Sequence, residues 1–200
     1  MRANDFIAAI DDSSGVGDNT KLVAHLSPDN ADAHRVGVVD SMSVYCIEYA
    51  DAHIYFIYDK ELMSYAVVSK EKIDGSCVLK QLERAGSVTG TGTALIVWLV
   101  RKACLKMVIP KFDKWTHKGM TWLTNSIAAG GRGLRYTDNT GVTPDCAAVW
   151  DEWEDNRQNQ TPGRTSIFIE TRLVNDSRLF EDRIGWLMPM YVFRGDPEIE

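Results

Sequence analysis

Residues 76–107 read SCVLKQLERAGSVTGTGTALIVWLVRKACLKM, and three textures follow one another within them. The first, SCVLKQLE at 76–83, alternates apolar Cys77, Leu79 and Leu82 imperfectly, which predicts a strand carrying a bulge. The second, AGSVTGTGT, breaks the pattern with Gly86, Gly90 and Gly92. The third is an apolar run long enough for a helix over 93–106, with Arg101, Lys102 and Lys106 where cations suit the negative end of the dipole and Pro110 as a stop. A strand, a glycine loop and an apolar helix in that order deliver free backbone N–H groups to the loop, where an anion can be held.

Working outward, VGVVD, VYCIEY and HIYFIYD between residues 36 and 59 are β-branched and aromatic runs separated by polar breaks, the signature of strands. Residues 54–68 turn once through Tyr-Asp-Lys-Glu and read as a hairpin, and the polar SKEKIDG is expected to connect it to residue 76. Upstream, residues 1–35 are rich in Asp, Ser, Gly and Asn and form an N-terminal arm, leaving 36–200 as the domain. Downstream, 120–124 suits an interior strand, and Asn125 or Ser126 suits the cap of a helix over 127–134. Between 138 and 163 an insertion holds CAAVWDEWED, a helix with Trp150 and Trp153 on one side, and the loop NRQNQTPG. Residues 166–174 and 186–193 close the sheet, with Pro189 marking an edge. The expected class is α/β of the α+β kind, a mixed, mostly antiparallel central sheet flanked by helices.

Composition narrows the function. Twenty-two Lys and Arg against 28 Asp and Glu give a net charge of -6, which disfavours sequence-independent binding to nucleic acid. The most apolar run, 94–100, is too short for a membrane span, and Asp5, Asp11 and Asp12 interrupt any signal-peptide core, so a cytoplasmic or virion setting is expected. Cys46, Cys77, Cys104 and Cys146 contain no CxxC pair and read as reduced structural thiols. His25, His34, His53 and His117 lack the spacing of a zinc site, and no metal is expected. No G-x-S-x-G elbow is present, which removes one hydrolase class. The acidic, aromatic stretch 150–155 reads in two ways, as a partner-facing patch anchored by Trp150 and Trp153 or as a helix with tryptophan on its core side.

The glycine stretch is not a Walker A loop, because no Gly-Lys-Ser/Thr follows, and it lacks the third glycine of a dinucleotide fingerprint. Two readings remain: a pyrophosphate cradle, or a turn that lets the helix pack close to the sheet. The order of hairpin, strand, glycine loop, helix, strand, helix and two strands resembles the GCN5-related N-acetyltransferase superfamily over residues 45–137. In that superfamily a central strand leads into a pyrophosphate loop of pattern Q/R-x-x-G-x-G/A. Gly90-Thr91-Gly92 followed by Thr93-Ala94-Leu95 matches its glycine and helix-start half, and TWLTNSIAAGGRGLRY at 121–136 resembles its second cofactor segment, with Tyr136 as the matching tyrosine.

The resemblance implies acetyl-CoA as co-substrate, held by Ser87, Thr89, Gly90, Thr91, Gly92, Thr93 and Asn125, and an amine of a small molecule or protein as acceptor. Acetyl transfer needs a neutral amine, so a base must take its proton and an acid must protonate the departing thiolate. Glu83 is the candidate base and Tyr136 the candidate acid. Ser87 stands where the motif has Gln or Arg, and no Lys or Arg occurs from Ala85 to Val100. That departure keeps a second hypothesis open: a catalytically silent domain of the same fold serving as a structural or partner-binding protein, of the kind found in bacteriophages.

Overall fold

The computed structural model describes residues 24–104, 106–110, 115–129, 133–159 and 163–171. β1 (His34–Val39), β2 (Met42–Glu48), β3 (Ala52–Asp59), β4 (Glu61–Ile73) and β5 (Ser76–Arg84) follow one another as an antiparallel meander. Its turns use the left-handed backbone that tight hairpins require, at Asp40 and Ser41, at Lys60, and at Asp74 and Gly75. The expected hairpin is β3–β4. The expected polar connection, however, is mostly strand: β4 runs on to Ile73, and only Asp74 and Gly75 turn. Residues 70–73 are exposed, so no apolar alternation marks them. The bulge foreseen in β5 is present, because Val67 faces Gln81 while Val68 faces Leu79, leaving Lys80 as the extra residue.

α1 (Thr91–Trp98) widens into a π-helical turn over Leu99–Ala103, and β6 (Lys106–Pro110) follows, parallel to β5. The helix expected to reach residue 106 thus ends its helical turns at Ala103, and Lys106, its expected last residue, opens a strand. Met107, Val108 and Ile109 are fully buried, as an interior strand next to a parallel neighbour requires. The strand expected at 120–124 lies instead inside α2 (His117–Ala129). Met120, Leu123 and Ile127 recur at helical spacing and form its buried stripe. β7 (Leu134–Thr137), α3 (Cys146–Asn159) and β8 (Ser166–Thr171) complete the described chain. The helix expected to extend to residue 134 therefore stops at Ala129, and Tyr136 stands on a strand. The second closing strand, 186–193, lies outside the described residues, as do residues 1–23 of the arm.

The eight strands form one open sheet, β1-β2-β3-β4-β5-β6-β8-β7, antiparallel except at β5–β6. One face carries the larger core, where α1 lies on β4 and packs with Val44, Ile57, Met107 and Ile169, and Met120 and Trp153 join from α2 and α3. The other face holds Ile54, Phe56, Tyr65 and Val67, capped by Leu26. Burial on both sides explains why residues 62–69 of β4 are buried without alternation. Gly37 sits at a bulge in β1 under the Trp98 indole, where a Cβ would come within 2.8 Å of the ring. No helix among the described residues is long and apolar enough to cross a membrane.

Candidate functional site

The glycine loop begins where β5 ends. Ala85 and Gly86 both donate their amides to the Met63 carbonyl at 3.0 Å, which ties the loop to the irregular end of β4. Residues 87–90 are exposed. Gly90 has φ 85°, a conformation that favours glycine, and its carbonyl accepts the first helical bond from Ala94 at 2.9 Å. No side chain caps α1 and no acid lies in its first turn, so the early amides and the positive dipole end remain available.

The hydroxyls nearby are partly committed. Thr91 is buried and donates to the carbonyls of Met63 (3.4 Å) and Val88 (3.3 Å), so only its amide is left for a ligand. The Thr93 hydroxyl accepts from the Trp122 indole at 2.9 Å, which pins α2 to the start of α1. Ser87 and Thr89 are exposed. Gly92 differs from its neighbours: its φ lies outside the left-handed range, and a Cβ there would meet only the Leu82 side chain, at ordinary contact distances of 3.8 Å and beyond. Glycine in a first turn costs up to ~1 kcal/mol against alanine, and the fold supplies no steric reason for it.

The sheet opens beside this loop. β5 and β6 are paired only at Cys77 with Met107 and Val78 with Val108. Beyond them, among the described residues, no strand pairs with residues 79–84 of β5 on that side, while β6 continues to pair with β8. Within the described chain an edge of amides and carbonyls without a strand partner therefore runs up to the uncapped end of α1. Arg84 ends this edge. Strand alternation puts it on the face of Leu82, the residue beneath Gly92, and among the described residues no ion pair engages it. In the sequence Arg84 stands one position before the cation-free stretch 85–100, and the two-residue alternation from Leu82 is the signal that brings it to the face of the loop.

Glu83 is half-buried on the opposite face, across from Tyr65. Gln81 donates to the Glu83 carboxylate at 2.8 Å and to the Tyr65 hydroxyl at 3.0 Å, which fixes the carboxylate's direction. Tyr136 lies elsewhere, 3% exposed in the core on the α1 face. Burial pushes its hydroxyl up to about 12, the Ser126 hydroxyl opposing the shift. With β6 and β8 between β5 and β7, Glu83 and Tyr136 are separated by roughly 14 Å of sheet as well as by its two faces. Asn125, expected as a cap, is exposed in the middle of α2.

Of the two tryptophans of the acidic, aromatic stretch, Trp153 lies in the core. Trp153 is 1% exposed and donates its indole N–H to the Trp115 carbonyl at 3.0 Å. Trp150 is half-buried, packs edge-on against Trp153 and His117, and donates to Glu154 at 2.9 Å. Comparison of the chain with family models, curated proteins and solved structures returned no match.

Proposed function

We propose that the chain binds acetyl-CoA at the glycine loop and transfers its acetyl group to an amine, as a divergent relative of the GCN5-related N-acetyltransferases. The observation that carries this reading is the coincidence of three features: the edge of β5 that no described strand covers, the uncapped start of α1, and Gly92, which the described fold does not need. A pyrophosphate fits the amides of residues 91–93, and a chain bearing amides fits the unpaired strand edge. Arg84 supplies a cation on the same face. The element order gives further support, since hairpin, central strand, glycine loop, helix, strand, helix and two strands all occur in that sequence, with α3 between the last two strands.

Acetyl transfer requires the acceptor amine to lose a proton as its lone pair attacks the thioester carbonyl. Glu83, oriented by Gln81, is the proposed base. The departing thiolate needs a proton, and Tyr136 is the acid that the resemblance implies. Its burial, and its separation from Glu83, favour instead the second reading, a domain that keeps the ligand site or the fold alone and acts as a binding or structural protein.

Thermal denaturation with acetyl-CoA tests the first step. A ligand that binds only the native state stabilises it by about 2.7 kcal/mol at a hundredfold excess over Kd, so the melting temperature should rise. Gly92→Glu should abolish the rise by placing a side chain and a negative charge where phosphate must sit. An unchanged melting temperature at millimolar acetyl-CoA overturns the proposal and leaves the silent domain. Where binding is present, turnover measured on Tyr136→Phe separates the readings: a loss in kcat of ~100-fold with stability retained identifies a general acid, and unchanged kcat a packing residue.

A further inference from the structure

Four threonines stand within the described helices, and one hydroxyl is used differently from the other three. Thr91 donates to the Met63 and Val88 carbonyls, Thr121 to the His117 carbonyl at 2.9 Å, and Thr124 to the Met120 carbonyl at 3.0 Å. Each of these three commits its proton to a backbone oxygen, and Thr121 and Thr124 do so four residues back, the usual habit of threonine inside a helix. Thr93, the third residue of α1, instead accepts, from the Trp122 indole N–H at 2.9 Å. A hydroxyl carries one proton and an indole nitrogen only donates, so this bond leaves the Thr93 proton uncommitted. Among the described residues no oxygen accepts it. The Thr93 side chain is half-buried on the first turn of α1, directly after Gly92. Trp122 is held in its turn: its ring stacks on Trp115 with centroids 6.1 Å apart, and the Trp115 carbonyl accepts from the buried Trp153.

We propose that Trp122 is a positioning residue for the phosphate end of the ligand and acts through Thr93, whose hydroxyl it holds as a donor; this rests on the reading that acetyl-CoA binds at the glycine loop. The indole N–H occupies an oxygen lone pair of Thr93 and opposes the rotation that would carry the proton back to the Thr89 carbonyl. The proton is thereby kept for an acceptor that arrives at the first turn of α1. A phosphate oxygen accepts and carries negative charge, so the bond it forms with Thr93 is charge-assisted. The indole donating to the same hydroxyl polarises it further in that direction. A ligand group that can only donate finds no partner in Thr93, which makes the position selective for an acceptor. Trp122 itself does not touch the ligand. Its contribution is to set which way one hydroxyl faces, and the stack on Trp115 supplies the rigidity for it.

Calorimetric titration with acetyl-CoA over a double-mutant cycle tests the pair. Thr93→Val should weaken binding ~10-fold, the scale of one hydrogen bond to a charged group, and Thr93→Ser should restore it. Trp122→Phe keeps a ring on Trp115 and removes the N–H; it should weaken binding several-fold alone and no further in the Thr93→Val background. In proton–nitrogen correlation spectra, the Trp122 indole peak, identified by its loss in Trp122→Phe, should move as acetyl-CoA is added. Equal weakening by Trp122→Phe in both backgrounds, unchanged affinity in either single variant, or an indole peak that stays in place at saturation overturns the proposal while binding at the loop stands. Wild type that binds no acetyl-CoA overturns that reading, and this inference with it. If Trp122→Phe does not fold, Thr93→Val identifies the peak, because it removes the acceptor of that one indole, and the movement of the peak in wild type decides.

Discussion

The meander β1–β5 and the smaller half made of β6–β8 with α2 and α3 are held together by different means. In the meander each strand pairs with the next in the chain, through turns of one to three residues whose backbone is set locally. In the other half the strands are short, and side chains distant in sequence fasten them. Glu152 on α3 accepts from the amides of Arg164 and Thr165 and from the Thr165 hydroxyl, Asn139 bonds Ser166 and Arg164, and Trp153 reaches Trp115. Among the described residues the sheet joins the two halves through two residue pairs at β5–β6, beside the core that α1 lays across them. Local pairing makes the first half robust to the loss of one side chain, whereas the second half depends on a few anchors.

That contrast is most easily broken at Trp153. Trp153→Ala should cost about 4 kcal/mol of stability in urea denaturation, because it empties a fully buried site and orphans the Trp115 carbonyl. A cost near zero would mean that the helical half is not anchored by this ring. The next largest effect is expected at Gly86, on the seam between meander and loop. A Cβ there would lie 2.8 Å from the Met63 sulfur and 3.1 Å from the Leu62 carbonyl oxygen, so Gly86→Ala should destabilise by roughly 2 kcal/mol.

Gly92, six residues further on, should behave in the opposite way. Gly92→Ala should leave the protein as stable or stabilise it by up to ~1 kcal/mol, while weakening acetyl-CoA binding in a calorimetric titration. Loss of stability with binding unchanged would assign that glycine to packing.

The smallest effect concerns acid. Burial pushes the Glu152 carboxyl up, but the hydrogen bonds from Thr165, Arg164 and Asn156 together outweigh it and hold the group below its ordinary value of 4.5. A depressed folded-state value means that the unfolded chain takes up the proton first as pH falls. The stabilisation is therefore complete above about pH 4.5 and is lost as pH drops through the lower folded value. Wild type should melt above Glu152→Gln at pH 7, with the gap closing on acidification; a gap that persists at pH 3 would show that charge is not what Glu152 contributes.

The amino-acid sequence alone determined the meander and the order strand, glycine loop, helix. These depend on alternation, turn residues and a composition break, all expressed within a few neighbouring residues. It also carried Gly90 and the helical reading of 146–155, through a turn glycine and a three-residue spacing of tryptophans. Only the tertiary structure decided that Lys106–Pro110 is a strand, because an apolar run as short as Met107, Val108 and Ile109 takes its form from β5 and β8 on either side. The helix at 117–129 likewise prevails over the strand character of MTWLT because Met120, Leu123 and Ile127 find one core together. The separation of Glu83 from Tyr136 and the cation at Arg84 were equally hidden. Each depends on which strand lies beside which and on which face a residue emerges, and a single bulge at Lys80 is enough to reverse the latter.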